Sequence, residues 1–141
     1  MSGFWRSWFF IWCVSIGLFG VVLALGALPA TDGPVRVVLA LTRGPTEPLF
    51  DPPLRFSLGV MGGVSIGWAV MLHFVVQEAI AQGAAGRPLW NAITIGMLTW
   101  FVIDSTLSVA TGYGLNVVPN IGLLGMYVLG LMRSGALKVE A

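Results

Sequence analysis

Charged residues are scarce in this sequence. Only 9% of its 141 residues are charged, whereas 57% are hydrophobic, and the mean hydropathy is +0.90. Soluble domains carry roughly 25% charged residues, so this chain has too little charge to cover a water-facing surface. The low charge excludes a soluble enzyme, a disordered tail and a nucleic-acid-binding protein, which would need a clustered basic surface. The composition predicts an integral membrane protein that has the lipid bilayer as partner and binds no nucleic acid.

Cysteine and histidine are nearly absent as well. The single Cys13 cannot form an internal disulfide or a cysteine-pair metal site, which excludes a disulfide scaffold. The single His73 cannot ligate haem from both sides within one chain. No nucleophile, base and acid can be assembled at one membrane depth, and no zinc-ligand spacing or phosphate-binding glycine loop is found. We therefore predict no catalytic residue, no metal and no cofactor, which favours a protein that is not an enzyme.

Long hydrophobic runs are abundant. A helix crosses the hydrocarbon core with about 20 apolar residues, and such runs cover about 8–28, 54–80, 88–111 and 116–132. The runs are continuous rather than alternating, which argues against strands. A cleaved signal peptide has an apolar region of about 7–15 residues, shorter than the first run, so we expect that helix to be retained. The sequence predicts one all-α domain over residues 1–141, an integral membrane bundle of four transmembrane helices.

The connections between the runs differ in length. Residues 29–53 are predicted to form a long non-cytoplasmic loop between helices 1 and 2. Within it, residues 35–41 are apolar but too short to span, so we expect them at the interface or over the mouth of the bundle. The later turns around residues 83–87 and 112–114 are short, which makes the third and fourth helices an antiparallel hairpin.

Basic residues give the predicted orientation. One side of the membrane would carry Arg6, Arg87, Arg133 and Lys138, and the other Arg36, Arg43 and Arg55. The positive-inside rule then favours cytoplasmic termini. We expect the membrane to be a bacterial inner membrane. Trp5, Trp8 and Trp12 crowd the start of the first run, as expected for an aromatic belt at the headgroup level.

A repeat of glycines marks the second hydrophobic run. Gly59, Gly63 and Gly67 recur every four residues and would form a smooth groove that lets a partner backbone approach closely. This groove would hold a neighbouring helix of the same chain. Alternatively, it would form the seam of a homodimer or receive other membrane protein subunits.

A carboxylate inside the third run is the strongest polar signal. Asp104 would lie within the membrane, where an acidic side chain normally faces the bundle interior and has a partner. The hairpin should bring to it the polar residues Ser108, Thr111, Asn116 and Asn120, and Arg55 at the start of the second helix could reach inward to pair with it. The group would be either a ligand pocket or a hydrogen-bonded knot that fixes the helix packing.

A histidine in the second run is a weaker signal. His73 shares a helix face with Gln77, four residues later, and the pair is a candidate proton or hydrogen-bond site. We expect His73 and Asp104 at different depths, so they should not form a dyad.

The sequence resembles one known family. The order Leu54-Arg55-Phe56 before Gly59 and Gly63, with Asp104-Ser105 near the end of the third helix, is similar to DoxX-like bacterial membrane proteins. This resemblance implies a four-helix bundle, and some members are linked to quinone-coupled sulfur oxidation.

Two functions stay open at this point. The leading hypothesis is a small non-enzymatic accessory or scaffold subunit that binds other membrane proteins through its glycine faces. The alternative is a carrier or redox-linked subunit that binds a lipid-soluble ligand, such as a quinone, in a pocket around Asp104. There Arg55 would tune the carboxylate, and Asn116 and Asn120 would orient the ligand.

Overall fold

The computed structural model describes residues 1–43 and 49–137, and these residues form helices and turns with no strand. The helices are α1 (Gly3–Leu25), α2 (Gly33–Arg43), α3 (Pro52–Ala81), α4 (Arg87–Ala110) and α5 (Val117–Arg133). Short 3-10 turns, Gly83–Gly86 and Gly114–Asn116, precede α4 and α5. Four of the helices are long and apolar enough to cross a membrane, which confirms the predicted all-α class.

The ends of α1 and α3 have local causes. Helix α1 stops at Leu25, where the Gly26 N–H turns back to bond the Leu23 carbonyl at 2.9 Å. Helix α3 begins where Asp51 accepts a hydrogen bond from the Leu54 N–H at 2.9 Å, as an N-cap residue does. Prolines follow this cap in the first turn, where a missing N–H costs nothing.

The prediction of a long loop between the first two membrane helices is wrong. Its middle is α2, and Val35 on this helix is fully buried against Leu23 of α1 and Leu58 of α3. The other end of α2 reaches the α4–α5 turn, where the Arg43 guanidinium lies 5.2 Å from the Tyr113 ring. Helix α2 therefore covers one end of the bundle, which we call the α2 end. The opposite end, called the terminal end, carries the start of α1 and the end of α5. Glu47 and Lys138 lie outside the described residues.

Aromatic side chains fill the bundle near the terminal end. Phe9, Trp12, Trp90 and Tyr127 are at most 1% exposed, and ring centroids of Trp12 and Tyr127 are 5.2 Å apart. The indole N–H of Trp12 donates to the Leu123 carbonyl of α5 at 3.0 Å. Trp8 makes the same kind of bond to Met126 at 2.8 Å. Both indoles therefore tie α1 to α5, and Trp12 is fully buried and does not face headgroups. The aromatic belt stays a prediction for Trp5 and Trp8.

The close packing of α1 on α3 occurs at Gly62 and not along the predicted groove. A Cβ on Gly62 would lie 2.6 Å from the Gly20 carbonyl oxygen and 2.7 Å from the Ala24 Cα. By contrast, Gly63 and Gly67 are exposed, with no atom within 4 Å of such a Cβ, and Gly59 only borders the contact. The face with Gly62 also carries Leu58, Ala69 and Leu72, whose side chains interdigitate with α1. Lipid gives no hydrophobic drive between helices, so this close fit decides which face packs.

Candidate functional site

Two groups of polar side chains lie in the bundle, one inside the membrane-spanning region and one at the α2 end. The first, called the Asp104 cluster, consists of Asp104, Ser105, Ser108, Asn116 and Asn120. The second, called the Asp32 group, consists of Asp32, Arg36 and Arg55.

A tight turn brings the members of the Asp104 cluster together. Helix α4 ends at Ala110, and Gly112 takes a φ of +85°, a left-handed conformation that glycine adopts without strain. The Tyr113 N–H bonds the Ser108 carbonyl at 2.8 Å, which reverses the chain. The start of α5 therefore runs back along the last turns of α4. Pro119 lies in the first turn of α5, so it breaks no helical hydrogen bond.

Hydrogen bonds converge on one oxygen of the Asp104 carboxylate. Its Oδ1 accepts from the Asn120 Nδ2 at 2.7 Å and from the Asn116 Nδ2 at 2.9 Å. The Ser108 hydroxyl adds a longer contact of 3.4 Å to the same oxygen. The amide of Asn116 also donates to the Ser108 Oγ at 3.0 Å, and the amide of Asn120 donates to the Ser105 Oγ at 3.2 Å. Both amides are thus fixed with their nitrogens toward α4.

The remaining oxygens of the cluster are open acceptors. In the part of the chain that the structure describes, no donor reaches Asp104 Oδ2 or the side-chain oxygens of Asn116 and Asn120. A carboxylate has two oxygens that can each accept more than one hydrogen bond. The cluster therefore has spare capacity for a molecule that brings N–H or O–H donors.

One face of α4 is closed near the terminal end and open near the α2 end. Trp90, Ile93 and Met97 on this face are 1%, 5% and 0% exposed. Trp100 and Asp104 continue the same face at helical spacing, but both are only half-buried. This face of α4 is therefore less completely buried at the level of the Asp104 cluster than near the terminal end.

Two tryptophans lie at the half-buried part of this α4 face. Trp100 lies one turn from Asp104 on α4, and its ring centroid is 6.0 Å from that of Trp68 on α3. Both indoles are half-buried. They were not predicted as site residues, although the spacing of four residues between Trp100 and Asp104 was a usable signal.

Comparison of the chain with protein families, with curated proteins and with solved structures gives no match.

Arg55 does not reach Asp104, contrary to the predicted pairing. Its Nη2 donates to Asp32 Oδ2 at 2.9 Å and its Nη1 to the Gly26 carbonyl at 3.2 Å. Arg36 lies one helical turn from Asp32 and donates two hydrogen bonds to the same carboxylate, from Nε at 2.9 Å and from Nη2 at 3.0 Å. The ring of Phe50 lies beneath both guanidinium groups, 4.0 Å from that of Arg36 and 5.2 Å from that of Arg55.

The two arginines hold the pKa of Asp32 well below its usual range. Hydrogen bonds from Arg36 first and Arg55 second lower this pKa from 3.8 to about 2. A carboxylate with a lowered folded-state pKa stabilises the fold fully above its unfolded pKa and loses that contribution as pH falls toward the folded value.

We expect this contribution to vanish between about pH 4 and about pH 2. The measurement is thermal unfolding in detergent for the natural chain and for Asp32→Asn, at several pH values down to about pH 2. The natural chain should be more stable near neutral pH, and the difference should shrink as Asp32 becomes protonated. A difference that stays constant over this range would contradict the role of the Asp32 group.

The other predicted site residues stand apart from the cluster. Thr111 is exposed, and its hydroxyl donates to the Leu107 carbonyl of its own helix at 2.7 Å, as threonines in helices often do. His73 is half-buried and contacts the rings of Phe10 and Phe74, with centroids 5.6 Å away in each case. No hydrogen bond joins His73 to Gln77 among residues 1–43 and 49–137. The same ranges contain no group of three or more His, Cys, Asp or Glu side chains that could hold a metal ion.

Proposed function

We propose that this chain is a small multi-pass membrane protein that binds a lipid-soluble ligand at the Asp104 cluster. The observation that carries the proposal is the uneven use of the carboxylate: three donors meet at Oδ1, while Oδ2 has none among the described residues. A purely structural knot would be expected to use both oxygens, because polar groups left unpaired in an apolar medium are costly. Acidic side chains inside membrane helices commonly mark ligand or ion sites.

The surroundings favour entry from the lipid. The face of α4 that carries Asp104 is half-buried at this level, whereas α2 covers the nearby end of the bundle. A molecule dissolved in the bilayer would reach the cluster from the side without crossing the Asp32 group. The role would be that of a carrier or of a redox-linked subunit in a bacterial inner membrane, with both termini cytoplasmic. The DoxX-like resemblance and its link to quinones stay predictions.

The test is native mass spectrometry of the full chain extracted from its own membrane in nanodiscs. We expect a reproducible small adduct on the natural chain, absent from Asp104→Asn, which keeps the shape of the side chain but removes its charge. The matched control is Asn91→Ala, an exposed amide on the same helix outside the cluster, which should keep the adduct. A natural chain that carries no adduct, or an adduct that survives Asp104→Asn, would refute the proposal.

A second candidate function is that of an accessory subunit, and one observation favours it. Gly63 and Gly67 lie one turn apart on an exposed part of α3, with nothing within 4 Å of a Cβ on either residue. A stripe of this kind allows close approach of a second helix. In the same mass spectrum, a larger assembly with other polypeptides would support this reading.

A further inference from the structure

We infer that the ligand of the Asp104 cluster is an amphiphilic cation, with a protonated amine as its head group and an apolar body. This inference rests on the proposed function and names the class of molecule that the site accepts. Three features support it: the charge of the cluster, its hydrogen-bonding inventory and the aromatic rings beside it.

The Asp104 carboxylate has no cationic partner among the residues that the structure describes. Both ion pairs formed by residues 1–43 and 49–137 involve Asp32, and the only basic side chain predicted to reach Asp104, that of Arg55, is held by Asp32 and the Gly26 carbonyl. A charge inside a membrane requires a partner of opposite sign or a proton. A cationic head group would supply the missing charge, whereas a neutral quinol would not.

The open hydrogen-bonding groups of the cluster are mainly acceptors. The amide nitrogens of Asn116 and Asn120 both face Asp104 Oδ1, and a carboxylate can only accept, so their orientation is fixed by chemistry. Among the described residues, the oxygens left over are Asp104 Oδ2 and the two amide oxygens, against one spare donor, the Ser105 hydroxyl. An ammonium group carries three donors and no acceptor, so its chemistry fits this excess of open acceptors. A ligand whose head group only accepts, such as an oxidised quinone, finds no free donor on these two amides.

The aromatic rings favour the same class. The indole of Trp100 lies one helical turn from Asp104 on α4 and pairs with that of Trp68, and each is half-buried. The face of an indole attracts a cation more strongly than any other side-chain ring. The rest of each ring offers apolar surface to a hydrocarbon body. A carboxylate one helical turn from this tryptophan pair therefore suits both parts of an amphiphilic amine.

The experiment compares three ligands that share one tail. The full-length protein is placed in nanodiscs of zwitterionic lipid, and binding of tritiated dodecylamine is measured by scintillation proximity, with empty nanodiscs to subtract partitioning. Unlabelled dodecylamine, dodecanol and dodecyl methyl ether are the competitors. Dodecanol offers a neutral donor and the ether offers none, so the series separates charge from hydrogen bonding.

We expect saturable binding of dodecylamine, and displacement by dodecanol at least about ten-fold weaker. Asp104→Asn should weaken amine binding by about ten-fold or more, and Trp100→Leu by about five-fold. Glu78→Gln is the matched control. The Glu78 carboxylate is exposed, lies near the C-terminal end of α3, away from the Asp104 cluster, and accepts a hydrogen bond from Gln82. It should leave binding unchanged.

Two results would overturn the inference. If dodecanol displaces the labelled amine as well as dodecylamine does, the site does not recognise charge, and the effect of Asp104→Asn on the adduct in native mass spectrometry then decides separately whether the proposed function stands. If the natural chain shows no saturable amine binding, the ligand is not an amphiphilic cation, and the adduct found by native mass spectrometry then decides separately whether the proposed function stands.

Discussion

Replacing Gly62 with alanine is expected to disrupt the packing of α1 against α3. The new Cβ would collide with backbone atoms of α1, the Gly20 carbonyl oxygen at 2.6 Å and the Ala24 Cα at 2.7 Å. Backbone cannot move aside as the end of a flexible side chain can, so the two helices must separate along their shared face. Overpacking in a well-packed interior costs typically 1–3 kcal/mol, and a backbone collision should fall at about 3 kcal/mol or above.

The matched control is the neighbouring glycine. Gly63→Ala adds the same methyl group on the same helix, but no atom lies within 4 Å of the new Cβ. Unfolding in a denaturing detergent titration should therefore be shifted strongly by the first substitution and by at most about 0.5 kcal/mol by the second. Equal stability of the two variants would show that α1 and α3 do not pack through Gly62.

A bulkier substitution at the same exposed glycine tests the second candidate function. Loss of bound polypeptides from a stable Gly63→Leu protein would support the accessory-subunit function.

Removing the Asp104 carboxylate is expected to destabilise the α4–α5 hairpin through the amides left behind. In Asp104→Leu, one N–H of the Asn120 amide loses its 2.7 Å acceptor in a side chain that is buried, with Asn120 only 6% exposed, while the other N–H keeps Ser105 Oγ. An unpaired buried donor costs about 1–3 kcal/mol, whereas side-chain hydrogen bonds between membrane helices have coupling energies of about 0.6 kcal/mol on average and about 1.7 at most. Because the acceptor is ionisable and bonded several times, we expect a coupling of about 1–2 kcal/mol.

A double-mutant cycle measures that coupling. The free energy of unfolding is determined for the natural chain, Asp104→Leu, Asn120→Leu and the double variant. If the two side chains interact directly, the double variant should be less destabilised than the sum of the single variants. Additive effects would contradict the hydrogen bond. Asp104→Asn is the control that keeps an acceptor in place, and it should lose less stability than Asp104→Leu.

The parts of this structure that the sequence predicted are local. Each membrane helix follows from about 20 consecutive apolar residues, and the bounds differ from the predicted ones by a few residues. The contacts of Asp104 with Asn116 and Asn120 follow from one short turn, because a tight hairpin places the two helix ends side by side. Such relations depend on helical periodicity and need no knowledge of distant contacts.

The parts that the sequence did not predict depend on relations between helices. The glycine period of four residues marks the face of Gly59, Gly63 and Gly67, whereas the close contact forms on the neighbouring face of Gly62. Only the position of the partner helix selects between the two faces. The sequence offers both Asp32 and Asp104 as possible partners of Arg55. In the folded protein Arg55 pairs with Asp32, which lies at the start of α2, and nothing in the sequence indicates how α2 packs over the bundle. The spacing of Asp32 and Arg36, four residues apart, was the local signal for that helix.

The Asp104 cluster also bears on how the chain enters the membrane. Its members come from residues 104–120, a single helical hairpin. On biological insertion scales, an aspartate at the centre of a helix costs about 2.5–3.5 kcal/mol to place in the bilayer. Here the residues that hydrogen-bond the carboxylate come within 16 residues after it in the sequence and are therefore synthesised directly after it. The hairpin can therefore leave the translocon with its polar bonds already formed, before it meets α1 and α3.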